Sequence, residues 1–362
     1  MKIMANLPEK LHQELGINKA RANFITLFIS SLICVRTVNL TEIALNFSPK
    51  VQTSSSYRRI QSFFLNFELC YSLLAKLIMS LLPDEPLVLS IDRTNWKFGK
   101  VDINIFMLSV EYNGVAIPVL WHMLNKTGNS NQTERIKLIK EFTTIFGKHR
   151  ISNLLADREF IGEKWIGYLK KEGIPFSIRV KHNMLVDDIK GVVGKKKCSE
   201  LFNSPKTKVY QSVNIFGTTL NMAGKKLTDK NDYMIIVTDG NAKNNLRAYR
   251  RRWKIETMFS SLKTRGFNLE STHMSCPYKL RMLVGLLAIA FLFCLTIGIE
   301  KNKEKPIAIK THGRRAMSLF RYGLDSIRKL VCDANAFCRQ TYWQIQKIIN
   351  AFSTVTLIMK YD

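Results

Sequence analysis

Acidic residues are scarce in this chain. The 362-residue sequence has 28 Asp and Glu residues against 55 Lys and Arg residues, which gives a formal net charge of +27 at pH 7. Lys and Arg gain free energy when they displace condensed counterions from a phosphate backbone, so this charge favours a polyanionic partner. Nucleic acid is the first candidate. The alternative is a basic protein of an AT-rich genome, in which lysine is common for reasons unrelated to binding.

Closely spaced cysteine pairs are absent from the sequence. The seven cysteines are an odd number, and none of them forms a C-x-x-C pair. This excludes the usual patterns of a disulfide framework and of a zinc knuckle. The N-terminus also lacks the apolar run of a secretory signal. These absences predict a protein of the reducing cytoplasm.

One uncharged run stands out for its length and apolar character. Residues 282–299 contain no charged side chain over 18 residues, which meets the lower limit for a membrane span. A helix buried on all sides in a large core has the same composition. Arg281 and Lys301 flank the run about equally and indicate no orientation. We predict a buried helix and no membrane partner.

Residues 1–84 are predicted to form a helical DNA-binding region. A short helical pattern at residues 41–44, a break at Ser48-Pro49 and a second pattern at residues 54–64 resemble a helix-turn-helix. The second pattern contains Arg58 and Arg59, which would face the DNA. An ordinary helical bundle with a solvated basic face would have the same pattern.

We predict that residues 85–182 form the first part of an α/β core of the ribonuclease H-like type. Strands are predicted at residues 87–92, 102–112, 115–122, 153–157 and 174–180, and helices at residues 133–146 and 160–171. This order is that of the ribonuclease H-like fold, which has three strands, a helix, a strand, a helix and a strand. Order alone does not distinguish that fold from other α/β folds.

The remaining sequence predicts three further regions. Residues 183–243 have short strand patterns punctuated by glycine, and we predict a β-rich insertion there. Residues 244–300 would complete the core with a helix over residues 249–263 and the buried apolar helix. Residues 301–362 predict a basic, helical C-terminal region.

The helix predicted at residues 249–263 has an unusual stripe. At about 100° per residue, Tyr249, Arg252, Glu256 and Lys263 lie on one side of an α-helix. A carboxylate placed among a phenol and two cations suits a metal ion held beside a phosphate. Alternatively, Glu256 simply pairs with Arg252 on the helix surface.

Two further carboxylates stand at predicted strand ends. Asp92 follows the first core strand and Asp157 a later one, and such ends gather at one edge of an α/β sheet. With Glu256 they would make three acids, which are costly to bring together unless a divalent ion such as Mg²⁺ or Mn²⁺ lies between them. A strand-end aspartate is also a common turn former.

These residues carry a family resemblance. Tyr249, Arg252, Glu256 and Lys263 fit the pattern Tyr-x2-Arg-x3-Glu-x6-Lys, which resembles the signature of the DDE transposases of bacterial insertion sequences, in the insertion-sequence-four family. Leu89-Ser-Ile-Asp92-Arg-Thr and Ala156-Asp157-Arg158-Glu159-Phe160 resemble the two aspartate motifs of that family. His312-Gly-Arg-Arg315 resembles part of its basic C-terminal stretch. The resemblance spans residues 85–325.

The resemblance assigns a role to each residue. It implies that Asp92, Asp157 and Glu256 bind Mg²⁺ or Mn²⁺ and catalyse, and that Tyr249, Arg252 and Lys263 contact DNA phosphates. Members of the family often cleave through a DNA hairpin whose flipped base stacks on an aromatic ring. Trp253 is one candidate for that ring; the others are Tyr210, Phe216 and Tyr233.

The resemblance also implies a complete function. The expected protein is a cut-and-paste transposase that binds terminal inverted repeats, cleaves phosphodiester bonds and joins the free 3′-OH ends to target DNA. Two ends must be paired, which implies a homodimer, and the expected location is the bacterial cytoplasm, at the nucleoid when bound. The alternatives are a metal-dependent nuclease without strand transfer and a catalytically inert DNA-binding derivative.

Overall fold

The computed structural model describes residues 7–47, 50–187, 189, 194–228, 232–311 and 313–332. The chain divides into two compact units. The helical unit comprises Met1–Asp84, Trp96–Ile103 and Met258–Asp362, and the sheet unit comprises Glu85–Asn95 and Asn104–Thr257. The predicted break at Ser48-Pro49, His312 of the basic motif and residues 333–362 lie outside the described residues.

Twelve α-helices occur within the described residues. They are α1 (Leu7–Leu15), α2 (Lys19–Val35), α3 (Leu40–Leu45), α4 (Thr53–Asn66), α5 (Tyr71–Ser80), α6 (Gln132–Phe146), α7 (Glu163–Glu172), α8 (Cys198–Leu201), α9 (Ala242–Ala248), α10 (Trp253–Leu262), α11 (Pro277–Glu304) and α12 (Leu319–Cys332). A 3₁₀ helix, Tyr249–Arg252, lies between α9 and α10.

The long apolar run forms the core of the helical unit. Residues 282–298 of α11 are all buried within the structure, as predicted for a buried helix. By length and composition α11 is also able to cross a membrane. In the structure its side chains instead pack inside the protein; Phe291, for example, stacks on Phe320 of α12 with 4.8 Å between ring centroids.

Helices α11 and α12 approach each other closely at two glycines. A Cβ atom at Gly298 would lie 1.9 Å from the backbone oxygen of Leu319, and one at Gly323 would lie 1.8 Å from that of Cys294. Neither position has room for any side chain, because backbone oxygens cannot move aside as a side chain can. The glycines therefore fix α12 against the core helix.

Most of the described strands form one large mixed sheet. The described strands are β1 (Leu87–Phe98), β2 (Val101–Tyr112), β3 (Val115–Met123), β4 (Ile151–Ala156), β5 (Phe176–Arg179), β6 (Leu185–Val186), β7 (Lys196–Lys197), β8 (Lys208–Ile215), β9 (Thr218–Lys226) and β10 (Tyr233–Thr238). Eight of them are ordered β3-β2-β1-β4-β5-β10-β9-β8, and β6 and β7 form a separate pair. The chain is therefore a mixed α/β protein, as predicted.

Local sequence signals determine several element ends. Asn113 and Gly114 adopt φ values of 50° and 77° in the predicted turn between β2 and β3, as a two-residue hairpin requires. Asn131 and Glu134 form a reciprocal capping box at the start of α6. Gly173 ends α7 in the left-handed conformation. These signals give the strand, helix, strand order that the sequence predicts.

Parallel pairing of β1 with β4 brings the two predicted aspartates together. Ile91 pairs with Ala156 in this register, so Asp92 and Asp157, each one residue further along, lie at the same level of the sheet. The prediction that Asp92 ends its strand is wrong. β1 continues to Phe98 beside β2, and the chain turns back only at Gly99, whose φ is 58°.

The strands of the predicted insertion extend the core sheet. β10 pairs antiparallel with β5, for example Val237 with Ile178, and β9 and β8 follow it. Without β10, the backbone groups of β5 would form an open edge, which natural sheets cover or pair. Residues 183–243 thus contain the predicted strands, but most of these belong to the same sheet as the aspartates.

Candidate active site

Asp92 lies in β1 with its carboxylate largely buried. Its side chain is 17% exposed, and its Oδ1 accepts a 2.8 Å hydrogen bond from the backbone N–H of Arg93. Burial raises the pKa of Asp92 to about 6, and Arg252 and the Arg93 hydrogen bond only partly oppose this shift. The carboxylate is therefore held where its charge is costly, as is common at functional sites.

Asp157 begins the segment that follows β4. Its Oδ1 is buried and has no hydrogen-bond partner among the described residues. A buried carboxylate oxygen without a donor loses its hydration with no compensation. This oxygen is therefore the one in the site most in need of a cation or a donor.

Arg252 supplies a positive charge among the carboxylates. Its Nη1 donates to Oδ2 of Asp92 at 3.2 Å, and its Nη2 donates to Oε1 of Glu256 at 2.5 Å. The residue is 3% exposed. Burial tends to lower the pKa of Arg252, but Tyr249, Asp157, Asp92 and Glu256 outweigh it and raise the pKa. One guanidinium thus bonds to Asp92 and Glu256, and Asp157 acts on it only through its charge. The ion pair of Glu256 with Arg252, which the sequence left open as an alternative, is present.

The predicted stripe is not one continuous α-helix. Tyr249–Arg252 is a 3₁₀ helix, α10 runs from Trp253 to Leu262, and Lys263 follows its end. The single-helix prediction is therefore wrong. In a 3₁₀ helix, residues three apart lie one above the other, so Tyr249 and Arg252 still share a side. In the helical unit, Lys263 pairs with Glu270 at 2.6 Å, and its Nζ lies 5.5 Å from the Trp96 ring centroid.

Tyr249 is a core residue. It is 1% exposed, and its hydroxyl donates a 2.9 Å hydrogen bond to the backbone oxygen of Ala156. Burial raises the pKa of Tyr249 well above the usual range of a phenol, so the hydroxyl keeps its proton. The resemblance predicts a phosphate contact for Tyr249, but here the hydroxyl faces the protein and holds β4 directly before Asp157.

The aromatic candidates differ in exposure. Trp253 is 52% exposed at the start of α10, with the Arg252 guanidinium 5.5 Å from its ring centroid. Phe216 is 44% exposed. Tyr210 donates its hydroxyl to the backbone oxygen of Leu201, and the ring of Tyr233 stacks on His182. Trp253 and Phe216 therefore present the freer ring faces.

Sequence reasoning missed an ion pair beside the aspartates. Arg93 donates to both carboxylate oxygens of Glu159, at 2.8 and 3.2 Å, and to the side chain of Asn129 at 2.8 Å. Bidentate pairs of this kind are strong and directional. Arg93 directly follows Asp92 and Glu159 lies two residues after Asp157, so the neighbours of the two aspartates in their motifs are the available signal.

Arg135 of α6 is a second residue that the sequence did not single out. It is 4% exposed and donates to the backbone oxygens of Glu159 at 2.9 Å and Ile161 at 3.1 Å, and to the hydroxyl of Ser130 at 3.0 Å. A buried arginine satisfied by backbone oxygens fixes the segment that carries them. Arg135 therefore holds the segment after Asp157.

Exposed cations lie on α9 and on the 3₁₀ helix. Lys243, Arg247, Arg250 and Arg251 are exposed, whereas Arg252 is buried. Arg251 nevertheless forms an ion pair with Glu111, which is buried at 4% exposure. The 3₁₀ helix thus directs Arg252 inward and leaves its neighbours at the surface.

The three carboxylates have the donor atoms of a divalent metal site, but they do not lie close enough together to form one in the structure. Among the described residues, no group of three or more His, Cys, Asp or Glu side chains is positioned to hold a metal ion. The donor chemistry nevertheless fits, because Mg²⁺ and Mn²⁺ prefer carboxylate oxygens and Oδ1 of Asp157 is buried without a partner. Glu256 is the most adaptable of the three, since its side chain is 40% exposed.

Comparison with protein families identifies the class. Residues 83–293, more than half of the chain, match the family described as the transposase DDE domain. The chain therefore belongs to this transposase family. The matched range contains Asp92, Asp157 and Glu256.

Solved structures give weaker likenesses. The piggyBac transposase synaptic complex with hairpin DNA is 10% identical, with 96% of this chain and 83% of that chain covered and a TM-score of 0.44. Endonuclease V from Bacillus subtilis is also 10% identical, with 70% and 96% covered and a TM-score of 0.25. These TM-scores are too low to assign a function. A comparison with curated proteins found no match.

Proposed function

We propose that this transposase is a cut-and-paste enzyme with a ribonuclease H-like core, of the insertion-sequence-four type. It would bind terminal inverted repeats, cleave phosphodiester bonds and join the 3′-OH ends to target DNA. The observation that carries the proposal is the parallel register that brings Asp92 and Asp157 to one level of the sheet, with Glu256 joined to Asp92 through Arg252. The family match supports the same chemistry.

Asp92, Asp157 and Glu256 are the residues that would hold the metal, Mg²⁺ or Mn²⁺. The chemistry that such a metal would supply is activation of the attacking oxygen and stabilisation of the leaving oxygen in an in-line phosphoryl transfer. The buried Oδ1 of Asp157, which lacks a donor, supports this assignment. Arg252 contributes by balancing the negative charge of the acids, which otherwise repel one another.

We assign roles to the signature residues and their neighbours according to whether each side chain is buried or exposed. Tyr249 and Arg252 act inside the protein, where they position β4 and the carboxylates. We assign backbone contacts with DNA to the exposed cations Lys243, Arg247 and Arg250. Phosphate contacts position the DNA and give affinity, and base contacts from the helical N-terminal region would supply the choice of sequence. Lys263 is the remaining candidate for a phosphate contact.

Trp253 is the residue that we assign to a flipped base. Its ring is half exposed, and it follows Arg252 directly. A base that leaves the duplex needs an aromatic face to replace its lost stacking. A hairpin route would use this face, and two subunits would pair the two transposon ends.

The test is a cleavage and strand-transfer assay on DNA that carries the sequences flanking the gene, where the proposed function requires inverted repeats. Wild-type protein with Mg²⁺ should cut at the repeat ends and join pre-cleaved ends to a target plasmid. Asp157→Asn should still bind the repeats but lose roughly a thousandfold in cleavage. Glu163→Gln, which neutralises an exposed acid of α7, is the matched control and should cleave normally.

Three results would contradict the proposal. Products that are cut but never joined would make the protein a nuclease. Repeat binding without cleavage by the wild type would make it an inert DNA-binding derivative. Cleavage that persists in Asp157→Asn would remove Asp157 from the catalytic set.

A further inference from the structure

Four cations of the helical unit line one open cleft, and a fifth lies near two of them. The cleft has a volume of about 510 Å³ and is lined by residues that include Lys301, Arg321, Arg328 and Lys329. Arg36 lies at the end of α2. Burial lowers its pKa most, and the nearby charges of Arg321 and Arg328 lower it further, whereas Asp325 raises it. We call Arg36, Lys301, Arg321, Arg328 and Lys329 the basic cleft.

Two arginines of the basic cleft share one acceptor. Nη2 of Arg36 and Nη1 of Arg321 both donate to the backbone oxygen of Arg265, at 3.1 and 3.4 Å. Like charges held this close repel one another. Such a pair is stable when an anion or solvent compensates its charge, and two adjacent guanidinium groups match the oxygens of a phosphate.

The C-terminal end of α2 holds two of these arginines. Nε of Arg328 donates to the backbone oxygen of Cys34 at 3.3 Å. Arg36 caps α2 in the left-handed conformation, with a φ of 60°. Cations are favoured at a helix C-terminus because its free carbonyl groups carry partial negative charge. The Nε of Arg36 is buried and has no hydrogen-bond partner among the described residues.

Lys301 completes the array from α11. Its Nζ donates to the hydroxyl of Ser326 at 2.8 Å and lies 4.9 Å from the ring centroid of Tyr322. Burial, followed by Lys329 and Lys305, lowers the pKa of Lys301. The local environment therefore disfavours its charge in the absence of an anion.

Acidic compensation of the basic cleft is small. Asp325 is the one acid among the described residues that line it, and its carboxylate pairs with Arg321 at 2.6 Å. Asp325 also acts on Arg36, and Glu304 acts on Lys301, but among the described residues neither acid forms an ion pair with these cations. The close contacts at Gly298 and Gly323 fix α12 on α11, so the cations of these two helices keep their spacing.

We propose that the basic cleft binds the phosphodiester backbone of DNA, at a position separate from the carboxylate site. The proposal rests on the proposed function, since it supplies a second point of attachment for the DNA that the enzyme would process. An open cleft with an excess of cations suits a polyanion that passes through it. A small anion alone would not need five cations along two helices and the end of a third.

The experiment measures DNA binding by the full-length protein in EDTA, with a duplex of the inverted repeat, between 0.05 and 0.3 M NaCl. Arg328→Gln/Lys329→Gln removes two cations of the basic cleft. Lys170→Gln/Lys171→Gln removes two exposed cations of α7 and matches the change in net charge. Arg328→Lys/Lys329→Arg keeps the cleft charge. Thermal melting checks that each variant is folded.

The cleft variant should bind roughly tenfold or more weakly at 0.1 M salt, and its slope of log K against log salt should be shallower by about 1.8, because each phosphate contact contributes about 0.9. The α7 variant and the charge-preserving variant should keep the wild-type slope. A wild-type slope in the folded cleft variant would overturn the proposal. An equal loss in the α7 variant would also overturn it, because the effect would then be one of net charge.

Cleavage assays on the same preparations separate this proposal from the proposed function. If the wild-type protein cleaves DNA and the cleft variant binds DNA as tightly as the wild type, the enzymatic function stands and the basic cleft is not a DNA-binding site. If the cleft variant binds DNA more weakly but the wild-type protein cleaves no DNA, the DNA-binding role of the basic cleft stands and the enzymatic function is contradicted. A wild-type affinity that does not depend on salt would contradict both.

Discussion

Arginine has opposite roles in the two units. In the sheet unit, Arg252 is buried and bonded to the carboxylates of Asp92 and Glu256. In the helical unit, Arg36 and Arg328 donate to backbone oxygens and leave an excess of positive charge around an open cleft. A basic composition therefore does not by itself identify the residues that contact DNA. The compensation of each cation by nearby acids distinguishes the two roles.

The largest expected effect comes from removing the buried cation. Arg252→Met would leave Asp92 and Glu256 without their shared partner. Breaking a buried pair in this way costs about 3 to 5 kcal/mol, so the free energy of unfolding should fall by about that amount in urea titration. Cleavage should be lost as well, because the acids would no longer be held together.

Arg250→Met is the matched control for this comparison. Arg250 lies on the same 3₁₀ helix and is exposed, so the unfolding free energy should stay within about 0.5 kcal/mol of wild type. Equal destabilisation by both substitutions would show that the helix, and not the ion pair, is sensitive to change. DNA affinity of Arg250→Met should fall modestly.

The pH dependence of stability gives the next largest effect. Burial raises the pKa of Asp92 to about 6 from 3.8, so the folded protein retains a proton that the unfolded chain releases. The contribution of Asp92 to stability is then fully present below about pH 4 and is lost as the pH rises towards 6. The loss is at most about 3 kcal/mol, at roughly 1.4 kcal/mol for each unit of pKa.

Urea titration from pH 4 to pH 7 in EDTA would measure this decline. Asp92→Asn should remove most of it, because the amide does not titrate. Asp325→Asn, in the basic cleft, should leave it in place. A wild-type profile that rises between pH 4 and 6, with no change in Asp92→Asn, would show that the Arg252 ion pair outweighs the burial of Asp92.

Tyr249→Phe should have the smallest of these effects on stability. The substitution leaves the backbone oxygen of Ala156 without its donor, at a cost of about 1 to 2 kcal/mol. Tyr278→Phe is the control, since that hydroxyl also donates to a backbone oxygen at 2.9 Å but from a residue that is 40% exposed. It should cost less than about 0.5 kcal/mol, because water can replace the lost donor.

If folded Tyr249→Phe cleaves DNA much more slowly than the wild type, the result would indicate that β4 positions Asp157. Cleavage that is unchanged, with the expected loss of stability, would make Tyr249 a core residue with no influence on the site.

Local sequence patterns were sufficient to predict much of the secondary structure of the sheet unit. The Asn113-Gly114 turn, helix α6 and the strand before Asp157 all follow from signals within a few residues of each other. The pairing of the two aspartates could also be expected, because parallel strands place successive ends at one edge. The continuation of β1 beyond Asp92 could not, since it depends on β2, its distant neighbour in the sheet.

The inward direction of Tyr249 and Arg252 was not evident from the sequence. Their pattern predicts one stripe of an α-helix, but the 3₁₀ turn before α10 changes the angle between successive side chains. The tertiary contact of Tyr249 with Ala156 joins residues that are 93 positions apart. Similarly, the basic cleft combines Arg36 with cations of α11 and α12. These residues are too far apart in the sequence for a local pattern to predict that they lie together.

The distance along the chain between Asp92 and Arg252 has a consequence during translation. These two residues are 160 positions apart, and a ribosome that adds about 5 to 20 residues per second needs roughly 8 to 32 s to pass from one to the other. Throughout that interval, the nascent chain has the strand of Asp92 but lacks its counter-ion and Glu256. We therefore expect the nascent enzyme to be inert until synthesis has passed residue 256, so that an interrupted copy shorter than this leaves the host DNA uncut.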